Sequence, residues 1–182
     1  MNVIYTARQF AHDAHDSIGQ KRKYTGEPYW VHVDDVANIV ATVTNSPIVI
    51  DAAFLHDVVE DVNKGIYTLN YISGTFGMEV GRLVWELTDV YTPERYPNLN
   101  RAERKALEAW RLGQISPDAQ TIKVADLLSN TASIVEHDPN FAKVYLLEKE
   151  RVLSVLTKAN PVLVARARFQ LTEAKKHLNM VE

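Results

Sequence analysis

Cysteine is absent from this 182-residue chain. Disulfides and thiolate zinc sites are therefore excluded. Long apolar runs are missing too. No stretch approaches the roughly 20 residues that span a bilayer, so no membrane association is expected. The opening residues Met1-Asn2-Val3-Ile4-Tyr5-Thr6 lack a basic region followed by an apolar run. No signal peptide is expected from them, and the cytoplasm is the default compartment. Nor is there an excess of positive charge. Lys and Arg number 20 against 23 Asp and Glu, a formal charge of −3. That balance gives no overall bias towards nucleic acid or anionic membranes. An anionic ligand must then be held by a local cluster or by a metal. Alternating strand patterns, internal repeats and linkers are also lacking. What remains, 46% hydrophobic and 24% charged residues, is ordinary for a globular protein. The expectation is one all-α domain over residues 1–182.

The most informative stretch is Ala52-Ala53-Phe54-Leu55-His56-Asp57-Val58-Val59-Glu60-Asp61-Val62. Read as a regular helix at about 100° per residue, it gathers His56, Asp57, Glu60 and Asp61 in one sector of roughly 140°. Phe54, Leu55, Val58, Val59 and Val62 fill the other side, and Ala53 leaves room in the polar sector. One His and three carboxylates without a Lys or Arg would repel one another on a plain surface. Beside a divalent cation they are tolerable. A His-Asp pair also offers imidazole and carboxylate ligands on neighbouring residues.

Before this stretch, Val3–Ile18 has helical periodicity through Ile4, Ala7, Ala11, Ala14 and Ile18. The spacing of His12, Asp13, His15 and Asp16 on it could bind a metal, but they are expected to face solvent, as charged residues on a first helix usually do. Gly19 to Pro28 is a loop that holds Lys21, Arg22 and Lys23, a local positive cluster suited to phosphate or to stacking on a base. Tyr29–Val43 returns to helix with His32 in its first turn.

Beyond it, Thr68–Phe76 and Met78–Leu87 read as short helices joined at Gly77, and Thr88–Leu99 as a long loop. Asn100–Leu112 is a charged helix with Arg101, Arg104, Lys105 and Arg111; most such residues form a solvated face. Ser116 or Asp118 caps the next helix. On it Lys123, Asp126 and Asn130 fall within about 60° of one another, among Ile122, Val124, Leu127 and Leu128. A carboxylate in so apolar a segment needs a cation or a donor. Asp138-Pro139-Asn140 is a turn, and Phe141–Leu156 and Pro161–Leu178 are the last helices.

His32, His56-Asp57 and Asp126 thus stand in the order His…HisAsp…Asp, which resembles the HD-domain metal phosphohydrolases. Three segments sharpen the likeness: Arg22-Lys23-Tyr24-Thr25-Gly26-Glu27-Pro28-Tyr29-Trp30-Val31-His32, Leu55-His56-Asp57-Val58-Val59-Glu60-Asp61, and Lys123-Val124-Ala125-Asp126-Leu127-Leu128-Ser129-Asn130. They resemble the hydrolase domain of RelA/SpoT-type alarmone enzymes, over residues 3–156. Tyr24-Thr25 puts two residues where the family's Arg-Lys-x-Gly-Glu-Pro commonly has one. Because the chain ends at Glu182, without synthetase or regulatory domains, a stand-alone small alarmone hydrolase is expected. In it the helix at 161–178 follows the motif-bearing core.

The resemblance implies a single-domain HD helical bundle and one divalent ion on His32, His56, Asp57 and Asp126. It favours Mn²⁺, although two imidazoles and two carboxylates also suit Fe²⁺, Co²⁺ or Zn²⁺. Glu60 and Asp61 resemble the family's catalytic acidic pair. Arg22, Lys23, Asn130 and Tyr145 match its nucleotide-binding positions, and Arg104 and Lys105 lie on a helix like its basic one near the phosphates. The implied reaction removes the 3′-pyrophosphate of guanosine 3′,5′-bis-pyrophosphate or its pentaphosphate analogue. The partner would be a free nucleotide, not a nucleic acid or a membrane, and a homo-oligomer is compatible with the sequence. Alternatives are adenosine alarmones, a 5′-deoxynucleotidase, or a non-catalytic nucleotide-binding domain. Against the last, His56, Asp57, Glu60 and Asp61 are all intact.

Overall fold

In a computed structural model, residues 5–180 are described. Among them there are nine α-helices, one π-helical turn and no strand, only an isolated bridge between Lys21 and Pro28. The all-α expectation therefore holds. No helix is long and apolar enough to cross a membrane among the described residues. The chain divides into two compact units, one up to Thr88 and one from Asp89.

In the first unit, α1 (Ala7–Asp16) starts at a reciprocal cap between Thr6 and Gln9. Ala7, Phe10, Ala11 and Ala14 are buried. Ile4, which the periodicity put on the same face, lies outside the described residues, and Ile18 is exposed beyond the helix end. Phe10 sits in a nest of Tyr5, Tyr67, Tyr71 and Phe76, with ring centroids 5.1–5.9 Å away. Trp30–Ala41 forms α2, and Pro47–Leu55 forms α3, opened by a proline at its first turn. The nearly continuous apolar sequence of α3 fits its burial against α1, α2 and α5. Leu69–Phe76 (α4) and Met78–Leu87 (α5) meet at Gly77, whose φ of 100° favours glycine. They approach closely where a Cβ on Gly81 would run into the Ser73 side chain.

The central stretch is not one regular helix. The α-helix stops at Leu55, and Val58–Val62 is a π-helical turn. There Asn63 N–H reaches back five residues to Val58 O, and Asn63 turns the chain with a left-handed φ of 34°. This wide turn packs against α1. The regular-helix geometry expected for Glu60 and Asp61 is thus replaced by a wider one, a variation common at functional sites.

In the second unit, α6 (Arg101–Leu112) begins at an Asn100–Glu103 capping box. Helix α7 (Pro117–His137) is capped by Ser116, and α8 (Pro139–Val155) by Asp138, which also ends α7. Helix α9 (Pro161–His177) packs against α7 and α8. Buried Gln120 accepts from Lys158 N–H and donates to Leu112 O, and Thr121 accepts from Asn160 N–H. These bonds tie the α8–α9 turn to α7. Glu108, buried on α6, accepts from Val90 and Tyr91 N–H at 3.1 Å and pairs with Arg111. The start of the long loop is therefore anchored, and the loop is ordered by a side chain eighteen residues away.

Candidate metal centre

Three side chains of the first unit converge. His32 enters from the first turn of α2, and His56 and Asp57 from the junction between α3 and the π-helical turn. One ligand atom from each lies within 4.8 Å of the others. Asp57 Oδ2 is 3.1 Å from His56 Nε2 and 3.6 Å from His32 Nε2. Both imidazoles are buried, at 3% and 1% exposure.

The donor chemistry fits a cation. His56 Nδ1 donates to Ala53 O at 2.8 Å. In the neutral ring, Nε2 is then the lone-pair nitrogen, and it faces a carboxylate oxygen that can only accept. A proton or a metal reconciles two acceptors at that distance. A backbone carbonyl that orients a ligating His is the usual support of such sites. Ala53 contributes this carbonyl, and its small side chain is buried. Tyr29 O–H donates to the same oxygen, Asp57 Oδ2, at 2.6 Å and so helps to fix the carboxylate.

A second layer surrounds the cluster. Asp61 is solvent-exposed as a residue, yet its carboxyl is pushed up to about 6 by partial desolvation and by the Asp57 charge. Gln20 donates to Asp61 Oδ2 at 2.8 Å and accepts from His15 Nδ1 at 2.7 Å. His15 is fully buried, contrary to the expectation that it faces solvent. Its bond to Gln20 and its packing on Tyr29, 4.8 Å between ring centroids, hold it inside. Burial lowers its pKa, so the ring favours the neutral form. His12 instead pairs with Asp34 at 2.8 Å and stacks on Trp30.

Arg22 and Lys23 lie in the loop after α1. Arg22 N–H bonds Glu27 O, and Lys23 lies over the Tyr24 ring. Glu60 is exposed on the π-helical turn.

In the second unit, Asp126 is 6% exposed and meets Lys123 at 2.9 Å and Asn130 Nδ2 at 2.6 Å. Those donors satisfy the buried carboxylate. The hydroxyl of Tyr145 is buried; burial, reinforced by the Asp126 charge, raises its pKa. Lys105 pairs with Asp89 at 3.2 Å, and Arg104 donates to Leu99 O. Lys149, which nothing in the sequence singles out, is 1% exposed. It donates to Thr131 and Gln170 at 2.7 Å, and desolvation pushes its pKa down to about 7.

Gln20 and Tyr29 escaped sequence reading because neither is a usual ligand or acid-base group. Their signal was position, flanking the basic loop and just before His32.

Helices built around a His and a His-Asp pair define a class, the helical proteins with a candidate site for a divalent metal. Comparison with known proteins narrows it. The HD domain family matches residues 7–160. Human guanosine-3′,5′-bis(diphosphate) 3′-pyrophosphohydrolase MESH1 is 35% identical over 165 residues, 87% of this chain and 84% of its own. A probable GTP pyrophosphokinase of Mycobacterium leprae is 35% identical over 131 residues, 71% of this chain but 16% of that protein. A solved structure described as a metazoan ortholog of SpoT that hydrolyzes ppGpp matches with a TM-score of 0.77 at 28% identity, covering 96% of this chain and 94% of that one. The chain belongs to the HD-domain family.

Proposed function

We propose that this protein is a metal-dependent phosphohydrolase that removes the 3′-pyrophosphate from guanosine 3′,5′-bis-pyrophosphate and its pentaphosphate analogue. The products are GDP or GTP and pyrophosphate. The observation that carries the reading is the convergence of His32, His56 and Asp57, with His56 Nε2 turned towards a carboxylate. The substrate comes from the relatives, two of which are described by this activity.

In this reading the ion is Mn²⁺, and Asp126 would be its fourth ligand, exchanging its bonds to Lys123 and Asn130 for the metal. Bound there, a divalent ion would lower the pKa of water and polarise a phosphoryl oxygen. Glu60 and Asp61 orient the attacking water and take its proton. Arg22 stacks on the base, Lys23 meets phosphate or ribose, and Asn130 and Tyr145 contact the nucleoside. Arg104 and Lys105 supply positive charge to the pyrophosphate. All of residues 1–182 act as one domain on a free nucleotide in the cytoplasm.

The test is a pyrophosphate-release assay on guanosine and adenosine alarmones and on deoxynucleoside monophosphates, with Mn²⁺ and with chelator. Metal-dependent release of pyrophosphate from the guanosine alarmones is expected. Preferred release of phosphate from deoxynucleotides, or turnover that survives chelation, would overturn the proposal.

A further inference from the structure

We infer that Gln20 is a positioning residue for Asp61, with its orientation set by His15. This rests on the reading of Asp61 as a group of the chemical step.

Asp61 lies where solvent reaches it. An unanchored carboxylate there would spread over several rotamers, at a cost in entropy whenever one is needed. Gln20 Nε2 donates to Asp61 Oδ2 at 2.8 Å. A carboxylate only accepts, so the amide must present its NH₂ group to Asp61 and its oxygen to the other side. That oxygen meets His15 Nδ1 at 2.7 Å, so Nδ1 carries the proton and donates. The fully buried ring is in turn wedged against Tyr29, which bonds Asp57. A flipped amide would set its oxygen against the carboxylate, acceptor against acceptor. The bonds therefore permit one orientation.

The backbone fixes the same residue from both sides. Gln20 N–H donates to His15 O at 3.1 Å, and Tyr29 N–H donates to Gln20 O at 3.0 Å. The Lys21–Pro28 bridge closes the loop beside it. A residue held by both its backbone and its amide is more than is needed to cover a surface loop. Its amide NH₂ reaches forty-one residues along the chain to one acid.

The experiment is a double-mutant cycle on the full chain with Mn²⁺ and guanosine 3′,5′-bis-pyrophosphate. Gln20→Met keeps the volume and removes both amide groups. It should lower kcat about 10- to 100-fold, the range for a lost hydrogen bond to a charged group. KM and metal content should stay close to wild type, and the far-UV spectrum should remain helical. In an Asp61→Ala background the same change should cost less than about twofold, because its target is gone. A full, additive loss in that background, or wild-type kcat in Gln20→Met, would overturn the inference. His15→Phe keeps the ring packing and removes the N–H. Its smaller loss of kcat should vanish in Gln20→Met, and additivity there would also overturn the inference. That arm decides if Asp61→Ala is too slow to assay. Wild-type turnover in Asp61→Ala is a separate outcome, refuting the reading of Asp61 itself and the inference with it.

Discussion

Removing one oxygen, in Tyr29→Phe, tests how the candidate metal centre is supported. The phenol donates at 2.6 Å to Asp57 Oδ2, the oxygen that also faces both imidazoles. A hydrogen bond to a charged group contributes about 1.5–3 kcal/mol. Loss of a partner that orients a metal ligand typically weakens metal binding about 10- to 100-fold. The two ranges agree. Phe retains the ring that packs on His15 at 4.8 Å and on His32 at 5.4 Å, so the fold and the imidazole positions should survive. Competition with a fluorescent chelator would measure the Mn²⁺ affinity, and circular dichroism the fold. We expect Kd to rise by at least tenfold with an unchanged helical spectrum, and hydrolysis to recover at saturating Mn²⁺. An affinity within twofold of wild type would refute the claim that Tyr29 fixes the ligand oxygen.

Other perturbations have equally definite outcomes. Lys149 has a folded pKa of about 7 against 10.5 for an exposed lysine. Between those values the unfolded chain holds a proton that the folded chain lacks, so stability should rise with pH across that window. It should be lost as pH falls to about 7, with a full span on the order of 5 kcal/mol. Urea melts should show this slope in the wild type and a flatter one in Lys149→Met; parallel slopes would contradict it. Gly81→Ala gains helix propensity, but its Cβ would come within 3.1 Å of Ser73 Cα and run into the Ser73 side chain. A net loss of about 1–2 kcal/mol is expected in urea unfolding, and a gain would show that α4 and α5 separate freely. Glu60→Gln should retain the metal and lose mainly kcat; wild-type turnover would remove Glu60 from the mechanism.

The candidate site residues were legible in the sequence where their type is rare in its setting. His56-Asp57 stood out because acids and a His adjoined an apolar run, and Asp126 because apolar residues flanked it. Helix ends were legible where Ser116-Pro117 or Gly77 marked them. The π-helical turn was not, since no Pro or Gly announces it. It depends on a five-residue backbone bond and on packing against α1. Lys149 was invisible for a related reason. A lysine in a charged helix is normally solvated, and only the distant acceptors Thr131 and Gln170 show why this one is inside. Gln20 likewise acquires its meaning from His15 and Asp61 together. In each case the missing information was a contact between residues far apart in sequence.

The central claim is that His32, His56, Asp57 and Asp126 hold one divalent ion that the reaction requires. Metal content after equilibrium dialysis against Mn²⁺, measured alongside pyrophosphate release, tests it most directly. The wild type should retain one ion per chain and release pyrophosphate from guanosine 3′,5′-bis-pyrophosphate. His32→Ala, His56→Ala and Asp126→Ala should lose both together while remaining helical. Full metal occupancy in His56→Ala, or undiminished hydrolysis by a metal-free variant, would contradict the account.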